Sequence, residues 1–329
     1  MRTGHITASP AQIMTHQMRL KPRRLSTSDL AQGRTSSIIL IDTTPMINYF
    51  LPIAALSVIL LAGCITHVGK SNEDPPRRKT TGRYNVKHNI VYSKPAGRTL
   101  MADTYVPEGK GPFPAILVVH GGGWTAGRRE QMNSISRKLA RRGYVAFNIS
   151  YRFAPEHIYP AQLDDMTAAV KFMRLNAKDY NIDPKKIGAF GYSAGAHLVA
   201  LLATTQSDEN SDSRLQAVVA GGIPSDLTTS PRNEMVLAFM GKTIEEDPHR
   251  FIQASPLSQI SEKSPPMFLY HGGFDRIVSP TNTQKMKAAL DTAGVHAETY
   301  VMQGMGHIPV FLFDNSAVKA AIRFFDEQL

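Results

Sequence analysis

Gly191-Tyr192-Ser193-Ala194-Gly195 follows the apolar run Ile187-Gly188-Ala189-Phe190 and precedes a stretch with Ala196, Leu198, Val199, Leu201 and Leu202 at helical spacing. A short strand, a glycine-flanked serine and a helix describe a strand–turn–helix. In such a turn the serine is held in a tight bend and its hydroxyl stands above the sheet. The glycines on either side let strand and helix approach without Cβ clashes. The five-residue pattern alone matches many sequences by chance; the strand and helix around it supply the meaning.

Three further stretches extend it. His120-Gly121-Gly122-Gly123-Trp124 comes directly after the apolar run Ala115-Ile116-Leu117-Val118-Val119. A glycine-rich turn at a strand end presents backbone N–H groups that can stabilise a developing oxyanion. Asp275 follows the run Met267-Phe268-Leu269-Tyr270, within His271-Gly272-Gly273-Phe274-Asp275. His307 lies in Gly304-Met305-Gly306-His307, after a strand expected over residues 297–301. The chain order is Ser, Asp, His, which separates this arrangement from the two other common serine hydrolase orders.

From about Tyr92 to its end, the chain resembles α/β-hydrolase carboxylesterases with an HGGGW oxyanion motif. That group includes hormone-sensitive-lipase-like esterases, acetylxylan and feruloyl esterases, and relatives of kynurenine formamidase. The stretches Tyr151-Arg152-Phe153-Ala154-Pro155-Glu156 and Pro160-Ala161-Gln162-Leu163-Asp164-Asp165 carry the likeness, together with Gly191 through Leu198. The resemblance implies Ser193 as nucleophile, His307 as general base and Asp275 as the residue that orients it. It places the oxyanion donors on the amides of Gly122, Gly123 and Ala194. Elementary chemistry agrees with each role. A serine hydroxyl needs a base to take its proton, imidazole suits that task near neutrality, and a carboxylate on its far nitrogen fixes the tautomer.

Other residues have plainer readings. His197, His120 and His296 are expected to pack or hold turns. Asp226, after a strand expected over residues 217–221, is the rival acid. Asp164 and Asp165 open a helix, where anions suit the helix dipole. Trp124 either lines the acyl pocket or packs beside it. No metal-ligand spacing appears. Gly121-Gly122-Gly123 lacks the residues that follow in phosphate-binding loops, so no cofactor is expected.

Apolar and helical runs alternate along 115–119, 132–142, 145–149, 164–175 and 187–190. This predicts an α/β fold with a mostly parallel sheet and helices on both faces. Residues 85–92 and 99–106 read as a leading antiparallel pair. Residues 231–258 interrupt the pattern and are expected to form a small cap over the site. Hydrophobic residues make up 42% of the 329, enough for one catalytic core.

The amino-terminal region differs in character. The formal net charge is +10, and residues 1–83 hold eleven Lys and Arg against four Asp and Glu. Most of the basic excess therefore lies outside the catalytic domain, which argues against a nucleic-acid-binding surface. Residues 47–62 form an uncharged apolar run ending in Leu61-Ala62-Gly63-Cys64, and Cys64 is the only cysteine. The run is shorter than the roughly 20 residues of a membrane helix and fits a signal-peptide core. It resembles a bacterial lipoprotein signal with lipid attachment at Cys64, which implies an extracytoplasmic, membrane-anchored protein, with a cytoplasmic chain as the alternative. Met46 then reads as the start of translation, with residues 1–45 an upstream extension. The expected organisation is residues 1–64 as extension and signal, 65–83 as a flexible tether, and 84–329 as the catalytic α/β-hydrolase domain. One cysteine cannot form an intrachain disulfide, so location draws no support from disulfides.

The functional expectation is a serine hydrolase cleaving small-molecule or carbohydrate esters, with small or medium acyl groups, through an acyl-enzyme on Ser193. An amidase, peptidase or formamidase of the same fold is the first alternative. A catalytically inactive binding protein is the second, and the complete Ser/Asp/His set argues against it. The sequence carries no signal of oligomeric state.

Overall fold

A computed structural model of the chain describes residues 65–70, 78 and 80–329. All of them belong to the second of two contact units, Ala55–Leu329. The expectations for residues 1–64, including the apolar run and Cys64, lie outside the described residues.

Among the described residues nine strands form one sheet: β1 (Ile65–Val68), β2 (Tyr84–Ser93), β3 (Leu100–Pro107), β4 (Phe113–Val119), β5 (Val145–Ile149), β6 (Ile182–Tyr192), β7 (Val218–Gly221), β8 (Met267–Gly272) and β9 (Ala297–Met302). Their spatial order is β1-β9-β8-β7-β6-β4-β5-β3-β2. The central six, from β5 across to β9, run parallel, while β2, β3 and β1 are antiparallel additions at the two edges.

Period-two alternation along each central strand feeds both faces of the sheet. On β4, Ala115, Leu117 and Val119 pack to one side, with α2 (Ala161–Leu175), α3 (Ala194–Thr205) and α6 (Thr281–Thr292). Ile116 and Val118 pack to the other, with α1 (Asn133–Arg141) and α8 (Asn315–Gln328). The strands are apolar throughout because both faces are covered. This is the α/β-hydrolase fold that the sequence predicts. The expected cap consists of α4 (Glu234–Met240) and α5 (Pro248–Gln253), each opened by a side chain accepting from helix amides, Asn233 and Asp247 respectively.

Three details differ from the sequence reading. Residues 65–83 are not a tether throughout. Ile65–Val68 pair with β9, from Ile65 opposite Met302 to Val68 opposite Thr299, and His67 binds Glu298 at 2.5 Å. Four residues are too few for periodicity to reveal a strand, and the partner is more than 200 positions away. Helix α2 begins at Ala161, a turn before its expected start, and Asp165 does not serve its dipole. Asp165 is buried and holds Arg152 at 2.7 Å, as well as accepting from the Arg152 backbone N–H at 2.9 Å. Strand β6 starts at Ile182, several residues before the apolar run that announced it.

Candidate active site

The parallel strands all end toward one side of the sheet, and the predicted site residues follow from those ends. Ser193 comes directly after β6, with φ 54° and ψ −122°. A non-glycine residue in that region is strained and persists only where its surroundings demand it. Here the demand is visible. A Cβ on Gly191 would collide with the Gly195 carbonyl, and one on Gly195 with the Val119 carbonyl at the end of β4. Both glycines let β6 turn into α3 directly beside β4, leaving Ser193 at the crest of the bend.

Asp275 lies in the loop after β8. One carboxylate oxygen accepts from the backbone N–H groups of Ile277 and Val278, each at 2.9 Å. The other receives the His307 Nδ1–H at 2.6 Å. His307 opens α7 (His307–Leu312), and the Tyr192 hydroxyl donates to its backbone carbonyl at 2.5 Å. With Nδ1 committed to Asp275, Nε2 is the acceptor nitrogen. Ser193 and His307 line one cavity of about 320 Å³ together with Gly121, Gly122, Gly123 and Ala194. No hydrogen bond joins Ser193 to His307 among the described residues; such contacts commonly close only around substrate. Leu227, Met235, Val236, Ile308 and Phe311 supply much of the remaining wall.

Asp226, the rival acid, also lines this cavity but does not contact His307. It caps a short turn, accepting from the Thr228 N–H at 3.1 Å, and lies 3.6 Å from Lys285.

His271 is the residue that sequence reasoning missed. It is fully buried, and its Nε2 lies 3.1 Å from the Asp275 oxygen that also binds His307, and 3.0 Å from the Val278 carbonyl. Its Nδ1 lies 2.7 Å from the Thr283 hydroxyl, which donates there and leaves the proton on Nε2. Burial alone would raise the Asp275 pKa. The hydrogen bonds from His271 and His307 outweigh it and hold the carboxyl well below the usual carboxylate range. The signal for His271 is its place four residues before Asp275, within the same His271–Asp275 stretch. His271→Phe removes one donor from Asp275, so the carboxylate should hold the His307 proton more tightly. The acidic limb of kcat/KM is then expected to move up by roughly half a pH unit. His271→Gln, which can restore a donor near the Nε2 position, should return it. Equal profiles for both variants and wild type would show His271 to be packing alone.

The Gly121–Trp124 turn is tied to the helix that follows Ser193. Trp124 has φ 61°, and its indole N–H donates to His197 Nδ1 at 3.2 Å. His197 sits one turn along α3 from Ser193, and its Nε2–H donates to the Ala254 carbonyl at 2.7 Å. The Trp124 ring stacks on Phe239 of the cap at 4.7 Å. Trp124 thus both lines the cavity and packs. His120 stacks on Tyr151 and donates to the Gly121 carbonyl at 2.7 Å. Burial pushes His120 and His197 each down to about 4. Their folded pKa values lie below the ordinary value, so their neutral forms favour folding, and stability falls as pH drops from about 6.5 to about 4. A thermal unfolding midpoint that declines over that window is expected, with each group contributing up to about 3 kcal/mol. A flat midpoint from pH 7 to 4.5 would contradict it.

Among the described residues no cluster of His, Cys, Asp and Glu has the arrangement of a metal site.

The chain's sequence agrees with this geometry. Residues 102–290 match the BD-FAE family, more than half of the chain. The chain belongs to the BD-FAE family of α/β-hydrolases. Curated relatives in this group include the esterase LipQ of Mycobacterium tuberculosis, 31% identical over 66% of this chain and 56% of its own length. The esterase LipC of the same organism is 29% identical over 60% of this chain and 53% of its own length. The chain therefore spans about half the length of these relatives. Among solved structures, a truncated carbohydrate esterase from gut microbiota superposes with a TM-score of 0.67 at 28% identity, covering 79% of this chain and 99% of that one. A butyrate-bound esterase of Thermogutta terrifontis superposes at 0.64 with 26% identity, covering 74% and 94%.

Proposed function

We propose that this BD-FAE member is a serine esterase that cleaves carboxylic esters. The observation that carries the reading is the 2.6 Å hydrogen bond from His307 to the buried Asp275, with His307 and the strained Ser193 lining one cavity. Ser193 Oγ attacks the ester carbonyl as His307 Nε2 takes its proton. The charge that develops on the carbonyl oxygen is met by the amides of Gly122, Gly123 and Ala194. Collapse breaks the ester C–O bond, and the leaving alkoxide takes the proton from His307. Water, deprotonated by the same nitrogen, then attacks the acyl-enzyme and frees the acid and Ser193. Asp275 stays ionised throughout, in keeping with its lowered pKa. A panel of matched esters and anilides tests the reading: esters should turn over and anilides should not, and faster anilide hydrolysis would replace it with an amidase.

The cavity of about 320 Å³ suits small to medium acyl groups. In a p-nitrophenyl series, acetyl to butyryl esters are expected to exceed long-chain esters in kcat/KM. Preference for palmitoyl esters, with activation at an oil–water interface, would overturn this. Acetylated and feruloylated sugars belong in the same panel, because one solved neighbour is a carbohydrate esterase.

We further infer that the chain is held at the outer face of a bacterial membrane by lipid on Cys64. Support comes from the uncharged run over residues 47–62 and the small residues that lead to the lone cysteine. Several acyl chains on one residue would anchor it stably, whereas one gives marginal binding. Among the described residues no helix is long and apolar enough to cross a membrane. Mass spectrometry of the native chain, with fractionation of a Cys64→Ser variant, tests this. An unmodified Cys64 in the aqueous fraction would end it.

A further inference from the structure

An apolar rim of exposed side chains stands beside the His307–Asp275 pair, and within it Ile277 and Ile308 also line the catalytic cavity. Phe274 is 64% exposed, Leu312 64% and Phe313 65%, with Ile277 at 56% and Ile308 at 53%. Leu312, Phe313 and Ile308 come from α7 and the residue after it, and Phe274 and Ile277 from the Asp275 loop, so both groups flank the His307–Asp275 pair. Phe274 and the α7 region meet, since the Phe274 N–H donates to the Met305 carbonyl at 2.9 Å. Large apolar side chains clustered on one rim mark a contact surface, whereas single exposed ones do not. Leu175, at 86% exposed, is such a single residue, at the end of α2 that leads back to the start of β6, on the opposite side of the sheet.

A second observation indicates what covers the rim. Residues 1–64 join the described part of the chain at Ile65, and Ile65 pairs with Met302, the last residue of β9. Strand β9 runs parallel to β8, so Met302 lies at the same end of the sheet as the Asp275 loop and His307. Strand β1 is fixed there by its ladder and by the His67–Glu298 contact. The chain amino-terminal to Ile65 therefore joins the sheet at the end that bears the exposed rim. Arg276 is exposed between Phe274 and Ile277 and adds a cation suited to anionic headgroups.

We propose that the rim of Phe274, Ile308, Leu312 and Phe313 docks on a lipid surface, with the mouth of the catalytic cavity turned toward that surface. This rests in part on the reading of residues 47–64 as a membrane attachment. The rim itself adds a second point of contact, so that the domain has one orientation on the lipid and does not swing freely.

The test uses the full chain with Cys64→Ser, so that a single introduced cysteine can carry an environment-sensitive NBD label. One variant carries Leu312→Cys and a control carries Leu175→Cys. Vesicles of phosphatidylethanolamine and phosphatidylglycerol are added, with or without acyl-chain bromination. The label at 312 is expected to shift to the blue and to be quenched by brominated lipid, while the label at 175 stays in water. In an unlabelled chain, Leu312→Glu with Phe313→Glu should keep p-nitrophenyl acetate hydrolysis and lower vesicle partitioning by about tenfold or more. The proposal is overturned if the 312 label stays in water on vesicle-bound protein, or if both labels respond alike. It is also overturned if the 312 label is shielded before lipid is added, because a second copy or residues 1–64 then cover the rim. Should the paired glutamate variant fail to fold, the two labelled chains still decide. Fractionation of the native chain judges the Cys64 attachment separately: an unlipidated, aqueous native chain, together with a 312 label that enters vesicles in the Leu312→Cys variant, would sink the anchor and keep the docking surface.

Discussion

Ser193→Ala is expected to lower kcat/KM toward p-nitrophenyl acetate by about 10⁴–10⁶-fold, with the unfolding midpoint unchanged. The substitution deletes one hydroxyl that faces the cavity and no core contact. The backbone bend at φ 54° is set by Gly191 and Gly195 on either side and survives the change. Loss of nucleophile therefore separates cleanly from loss of fold. Residual hydrolysis above about a tenth of wild type would mean that another group attacks the ester.

Asp275→Asn should cost about 10⁴-fold, the magnitude seen when a serine protease triad loses its carboxylate. The amide cannot accept from His307 Nδ1 with the strength of the carboxylate, and it can donate in its place, which favours the wrong tautomer. It also breaks the contact with His271 Nε2. Asp226→Asn is expected to cost less than about tenfold, because that side chain caps a turn and neighbours Lys285 without touching His307. Parallel kcat/KM measurements on the two variants decide, and a larger loss at Asp226 would exchange the roles.

The residues brought together at the cavity were legible in the sequence because each announces itself locally. Ser193, the Gly121–Gly123 turn, Asp275 and His307 all sit in glycine-rich stretches just beyond apolar strands, and a parallel sheet collects strand ends on one side. Residues that act across the fold were harder to see. His271 lies within β8, where its apolar neighbours suggest core packing, and its partners Thr283 and Val278 come from the following loop and helix. Asp165 sat where an acid suits a helix start, and only the return of residues 150–152 past α2 shows that it pairs with Arg152. Strand β1 was illegible for a different reason. Its four residues carry two polar side chains, and its pairing depends on β9, which arrives at the far end of the chain.

The Trp124–His197 contact makes the protein its own optical probe. Trp124 is the chain's only tryptophan, so every photon of indole emission originates at the glycine-rich turn after β4. The ring is buried, stacked on Phe239 of the cap and open to the cavity on its lining side. Occupation of the cavity by an acid product, or displacement of the cap helix, changes the polarity around that one fluorophore. Ligand affinity and cap motion can then be followed in the unmodified chain, on the timescale of stopped-flow mixing, with no reporter substrate and no attached dye.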